Sequence, residues 1–182
     1  STRVRSSAAS DVYKRQLVYG ALCVALSFML SYIKLFSLPM GGSLTLCSML
    51  PIAAYACAFG PLYGFTAGLA FGVLQLIQDF YVIHWAQLLL DYFFAFACYG
   101  IAAYFPNKLT LGIAVAGLCR MLCSTLSGGI FFADSAVDAG WSNAWLYSLA
   151  YNGSTIGAET VLCVLVSLLP PVKKVLGLMK SE

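Results

Sequence analysis

The stretch Trp85-Ala-Gln-Leu-Leu-Leu-Asp91-Tyr-Phe-Phe-Ala-Phe-Ala-Cys-Tyr-Gly-Ile-Ala-Ala-Tyr-Phe105 decides the fold. A helix of roughly 20 apolar residues spans a hydrocarbon core about 30 Å thick, and this segment has that length with one acid, Asp91, inside it. Working outward, the same signal recurs on both sides. Towards the N-terminus it predicts crossings over Gln16–Ile33, Leu44–Phe59 and from Gly60-Pro61 to Gln78; towards the C-terminus, over Leu109–Phe132 and from Ala144 to before Pro170-Pro171. Pro/Gly clusters and short polar runs separate them: Leu38-Pro-Met-Gly-Gly-Ser43, Asp79–His84, Pro106-Asn-Lys108, and a loop with Asp134, Asp138, Gly140 and Trp141. Pro51 falls inside the expected second crossing, where neighbouring helices can repair the lost backbone bond.

Composition supports this reading. The 182 residues are 61% hydrophobic and 9% charged, with a mean hydropathy of +0.87. Soluble domains carry about 25% charged residues, so this chain could not cover a water-facing surface. The expected fold class is all-α: an integral membrane protein, a bundle of six transmembrane helices over residues 16–182 with a short basic C-terminal tail. Residues 1–15, STRVRSSAASDVYKR, are polar, Ser-rich and basic. They read as a non-native or disordered leader, resembling a translated linker, and lack the apolar core of a signal peptide.

Charge sets orientation. With six alternating spans, Arg3, Arg5, Lys14, Arg15, Lys108, Lys173, Lys174 and Lys180 fall on one side, and Lys34 falls on the other with Asp79, Asp134 and Asp138. The positive-inside rule then places both termini in the cytoplasm. A net charge of +3 without a basic cluster excludes nucleic acid as a partner. No glycine-rich phosphate loop or other nucleotide-binding signature is present, so if the chain drives any transport the energy comes from elsewhere. The seven cysteines are scattered through apolar segments as small packing residues. His84, the only histidine, has no companion ligands, so no metal site is expected. No Ser/His or paired-acid set supports an enzyme, and no catalytic residue is assigned.

Ionisable and amide groups in hydrocarbon are costly, by about 2.5–3.5 kcal/mol for a charge mid-helix, and need a partner or a function. Asp91 shares a helix face with Gln87, four residues earlier, and the two could hold one polar ligand. The alternative is a structural ion pair between Asp91 and Arg120. Glu159 lies two turns after Asn152 on one face of the last crossing, open to either a functional or a structural role. Tyr147, Tyr151 and Asn152 occupy the outer part of that helix. The aromatics Tyr81, Trp85, Trp141 and Trp145 form either an interfacial girdle or a cap over a flat cationic ligand. Ala21 and Ala25, one turn apart on the first helix, permit close helix approach, within the bundle or to another protein.

The segments Pro39-Met-Gly41-Gly42-Ser43, Gln87-Leu-Leu-Leu-Asp91-Tyr92, Ser127-Gly128-Gly129-Ile-Phe131-Phe132 and Tyr147-Ser-Leu-Ala-Tyr-Asn152, in this order, resemble the thiamine-specific substrate-binding (S) subunits of energy-coupling factor (ECF) transporters. The resemblance runs from about Gln16 to the tail. It implies a multi-pass protein of the bacterial cell membrane, with a thiamine pocket lidded by the loop after the first helix. It carries ligand contacts onto Asp91, Tyr92, Tyr81, Gln87, Ser124, Gly128, Phe132, Tyr147 and Asn152. Ser124 stands where some members have histidine, Phe132 where some have tryptophan, and Asp91 is an aspartate rather than a glutamate. The resemblance also makes Ala21 and Ala25 a docking face for a membrane coupling subunit, which two cytoplasmic ATPases would serve. No cofactor is implied. Two other readings remain: a stand-alone ion-coupled transporter, and an S component for another vitamin or a thiamine precursor.

Overall fold

The computed structural model describes residues 2–39 and 42–181, so Met40 and Gly41 of the first-loop motif lie outside the described residues. The elements are α1 (Thr2–Ser31), a hairpin of β1 (Lys34–Ser37) and β2 (Ser43–Thr45), α2 (Leu50–Phe59) and α3 (Pro61–Gln78). Then follow α4 (Trp85–Tyr104), α5 (Leu109–Phe131), a short α6 (Ala133–Asp138), α7 (Ala144–Ser167) and α8 (Pro170–Ser181). The fold is an all-α membrane bundle, and α4, α5 and α7 are each long and apolar enough to cross a membrane.

Helix ends follow local chemistry. Gly60, at φ +99°, reverses the chain, and Pro61 starts α3 at a position that needs no N–H donor. Asn143 caps α7 by accepting from the Trp145 and Leu146 amides at 2.9 and 3.2 Å. His84 caps α4 in the same way through Nδ1, which accepts from the Ala86 amide at 3.1 Å.

Four expectations shift. The second helix begins at Leu50, not Leu44, because Ser43–Thr45 pairs antiparallel with β1 and a buried turn follows. Pro51 therefore sits in the first turn of α2 and breaks no helical bond. The loop after α5 contains the short helix α6, and the basic tail is itself the helix α8. Finally, α1 continues upstream of Gln16 to Thr2.

The core joins α2, α3, α4, α5 and α7 around Ile52, Phe71, Tyr99, Ile113 and Cys163, all fully buried. On α3, a β-carbon at Gly68 or Gly72 would collide with the Phe96 or Tyr92 carbonyl oxygen, so these small positions let α3 lie against the α4 backbone. All seven cysteines are free thiols.

Two helices change pitch. Residues Leu89–Phe94 of α4 and Gly153–Gly157 of α7 form π-helical turns. Such turns insert an extra residue per turn and occur disproportionately at functional sites. Both border the same cavity.

Candidate ligand-binding site

Between the hairpin and the halves of α4, α5 and α7 nearest to it lies a cavity of about 160 Å³. All nine residues expected to touch a ligand line it: Tyr81, Gln87, Asp91, Tyr92, Ser124, Gly128, Phe132, Tyr147 and Asn152. They come from four segments of chain, and the first-loop residues Gly42, Ser43 and Thr45 join them.

Three acids line the cavity, Asp79, Asp91 and Glu159, and Asp91 is the one without an ion-pair partner among the described residues. Its Oδ2 accepts from Gln87 Nε2 and from Ser127 Oγ, both at 2.8 Å. Gln87 and Ser127 are buried and uncharged, so they orient the carboxylate without neutralising it.

The alternative, in which Arg120 neutralises Asp91, is not what the chain adopts. Arg120 Nη1 lies 3.5 Å from Glu159 Oε2, donates to the Tyr99 hydroxyl, and its guanidinium sits 4.4 Å from the Phe96 ring centroid. Glu159 is 2% exposed, and its other oxygen accepts from Thr45 Oγ1 at 2.6 Å, Ser48 N at 2.9 Å and Ser48 Oγ at 2.8 Å. The two charges satisfy one another and fasten β2 to α7, leaving Asp91 as the unneutralised charge of the site.

The aromatic walls are also fixed by packing. Tyr81 stacks on Phe132 with ring centroids 5.9 Å apart and planes inclined by 22°. Tyr147 lies 6.0 Å from Tyr151, and Trp141 meets Tyr147 edge-on at 5.9 Å. Of the four loop aromatics, Tyr81 lines the cavity; Trp85, Trp141 and Trp145 do not and are 69%, 43% and 48% exposed, as girdle residues are. His84 stacks on Phe131 at 5.0 Å besides capping α4.

Three site residues hold structure as well as lining space. The Tyr92 hydroxyl donates to the Asp79 carbonyl at 2.6 Å and accepts from the Tyr81 amide at 3.3 Å, setting the α3–α4 loop. A β-carbon at Gly128 would strike Ser148 Oγ, so this glycine lets α5 meet α7. Asn152 Nδ2 donates to the Ser148 carbonyl at 2.9 Å, while its Oδ1 accepts no bond among the described residues.

Sequence reasoning left Tyr151 out of the site. Its hydroxyl donates to the Pro39 carbonyl and accepts from the Gly42 amide at 2.8 Å, tying the first loop across the cavity. Thr45, Ser48 and Thr155 were missed because short hydroxyl side chains in apolar sequence carry no spacing signal. Lys34 pairs with Asp79 at 2.8 Å, joining the hairpin to the α3–α4 loop. On α1, Ala21 and Ala25 are exposed and touch neither the cavity nor the core.

The family model described as "Thiamine transporter protein (Thia_YuaJ)" matches residues 17–178. The curated thiamine transporter ThiT of Bacillus subtilis is 31% identical over 147 residues, covering 71% of this chain and 75% of that protein. The solved structure of ThiT from Listeria monocytogenes superposes with a TM-score of 0.76 over 88% of this chain and 96% of that one, at 22% identity, and so shows the fold. These relatives are named as transporters, not enzymes. With a family match spanning nearly all of the helical bundle, this chain is a multi-pass membrane protein that belongs to the thiamine transporter family.

Proposed function

We propose that the protein is the substrate-binding subunit of an ECF-type vitamin transporter in a bacterial cell membrane. It captures thiamine from outside and delivers it through a membrane coupling subunit and two cytoplasmic ATPases. In this reading α1, α2, α3, α4, α5 and α7 are six passes and both termini are cytoplasmic. Helix α2 has only 10 residues, about 15 Å of length. The turn Cys47–Met49, at most 5% exposed, would complete that pass, since non-helical backbone is tolerated at membrane depth only inside protein.

The observation that carries the reading is Asp91, oriented by Gln87 and Ser127 in a cavity and unneutralised because Arg120 is committed to Glu159. Thiamine bears a permanent thiazolium cation. A carboxylate held in a low-dielectric cavity attracts such a cation more strongly than it could in water, and no proton need move. The flat aminopyrimidine suits the stacked Tyr81–Phe132 wall and Tyr147, and the free carbonyl oxygen of Asn152 would accept from its amino group. Ser124 and Gly128 would shape the floor beside Asp91. Ala21 and Ala25 would meet the coupling subunit. The name of the family and of its Bacillus subtilis member supports the choice of thiamine.

Calorimetry on the purified protein with thiamine and its phosphates tests this. Asp91→Asn should weaken thiamine binding at least tenfold, because a charge-assisted contact contributes about 1.5–3 kcal/mol; unchanged affinity would refute the assignment. Thiamine uptake into vesicles that lack ATPase subunits, abolished by an uncoupler, would instead identify a stand-alone ion-coupled carrier.

A further inference from the structure

At the opposite end of the bundle a second cavity, of about 640 Å³, lies between α5, α7 and α8 and shares no residue with the first. Its walls are apolar, including Leu111 and Ala114 of α5, Val164 of α7 and Leu168 just after it. Leu111 and Leu168 are 44% and 50% exposed, so this slot opens to the side of the bundle, where lipid is the solvent.

One end of the slot is polar. Lys108 and Lys173 line it, and neither ammonium has an acceptor among the described residues; the neighbouring Lys180, by contrast, donates to the Pro106 carbonyl. Inside, the hydroxyls of Thr110 and Ser167 lie 3.0 Å apart. No acid lines the cavity. Positive charge without a counter-ion therefore stands over an apolar slot at a membrane-facing edge.

The occupant must bring an anion to the lysines and alkyl chain to the slot. A free anion would leave the apolar walls wet, and a zwitterionic lipid would place a second cation beside the two lysines. We propose that this cavity is a binding site for one anionic phospholipid. Its phosphodiester lies between Lys108 and Lys173, and an acyl chain lies along the Leu111–Leu168 slot. Basic pockets between transmembrane helices accept lipid headgroups by this combination.

The test is native mass spectrometry of the purified protein in neutral detergent, titrated with phosphatidylglycerol, phosphatidylcholine or inorganic phosphate. Phosphatidylglycerol should remain bound in a one-to-one adduct that phosphatidylcholine does not form. Lys108→Gln combined with Lys173→Gln should weaken that adduct about thirtyfold, from the usual contribution of a lysine at a membrane surface. Ala114→Trp, which fills the slot and keeps both charges, should abolish it. Lys174→Gln, whose residue does not line the cavity, should change nothing. Thiamine affinity of all the variants should match the parent, which separates a failure here from a failure of the vitamin site. Equal retention of the two lipids, an adduct as strong in the double variant as in the parent, its survival in Ala114→Trp, or competition by inorganic phosphate at equal concentration would overturn the proposal.

Discussion

Arg120 and Glu159 show how a single ion pair decides what its neighbours can do. A buried charge that loses its partner costs about 3–5 kcal/mol, because desolvation is no longer offset. Here the side chain of Glu159 is 2% exposed and spends one oxygen on three donors from Thr45 and Ser48, keeping the other for Arg120. Arg120→Met should therefore lower unfolding free energy by about 3 kcal/mol, read as a lower midpoint in denaturant or thermal unfolding in fixed detergent without thiamine. Glu159→Gln should cost less, since an amide oxygen still accepts from the two hydroxyls and Arg120 keeps Phe96 and Tyr99. An Arg120→Met protein as stable as the parent would mean that the pair does not carry that weight. The sequence could show that Asp91, Arg120 and Glu159 needed partners. It could not show which two would pair, because the choice depends on how far α5 is rotated against α4 and α7.

The elements divide into those written locally and those written by packing. Helices α3, α4 and α5 begin and end within a residue or so of where apolar length and Gly/Pro punctuation place them, since both signals act within the segment itself. The hairpin does not, because the mostly apolar run from Leu44 onward reads as the start of a helix. What makes it a strand is distant: Thr45 and Ser48 bond Glu159, and the loop before it bonds Tyr151. The π-helical turns are equally silent in sequence, since no residue pattern marks them. The latch at Tyr151 has a consequence for release. Tyr151→Phe removes both hydrogen bonds to the first loop, at about 1 kcal/mol each, while leaving the ring in place. Thiamine should then leave up to about thirtyfold faster in stopped-flow fluorescence. An unaltered release rate would show that the loop is not held shut by this hydroxyl.

Across the whole molecule, opposite ends have opposite character, and one long face is left over. Asp79, Asp91, Asp134 and the aromatic walls gather at the hairpin end, whereas Lys108, Lys173 and Lys180 gather at the other. Sequence charge alone forecast this asymmetry, because alternation of spans is enough to sort loops onto two sides. The leftover face belongs to α1. Gly20 and Ser27 turn inward, Gly20 against Tyr55, while Ala21 and Ala25 stay exposed among Leu22, Leu26 and Met29, which are 61%, 49% and 68% exposed. Spacing could not say whether the two alanines serve contacts inside the bundle; the fold puts them outside it. A pair of small residues one turn apart on a lipid-facing ridge lets another helix approach closely, and in lipid such closeness replaces the hydrophobic drive that water would supply. Ala21→Trp should accordingly leave thiamine affinity unchanged, since α1 does not line the cavity. On the ECF reading proposed above, it should also prevent co-purification with a coupling subunit and ATPases and abolish uptake in reconstituted vesicles. Intact assembly with the tryptophan in place would move the docking face elsewhere on the bundle, while a loss of thiamine binding would mean that α1 shapes the site from outside it.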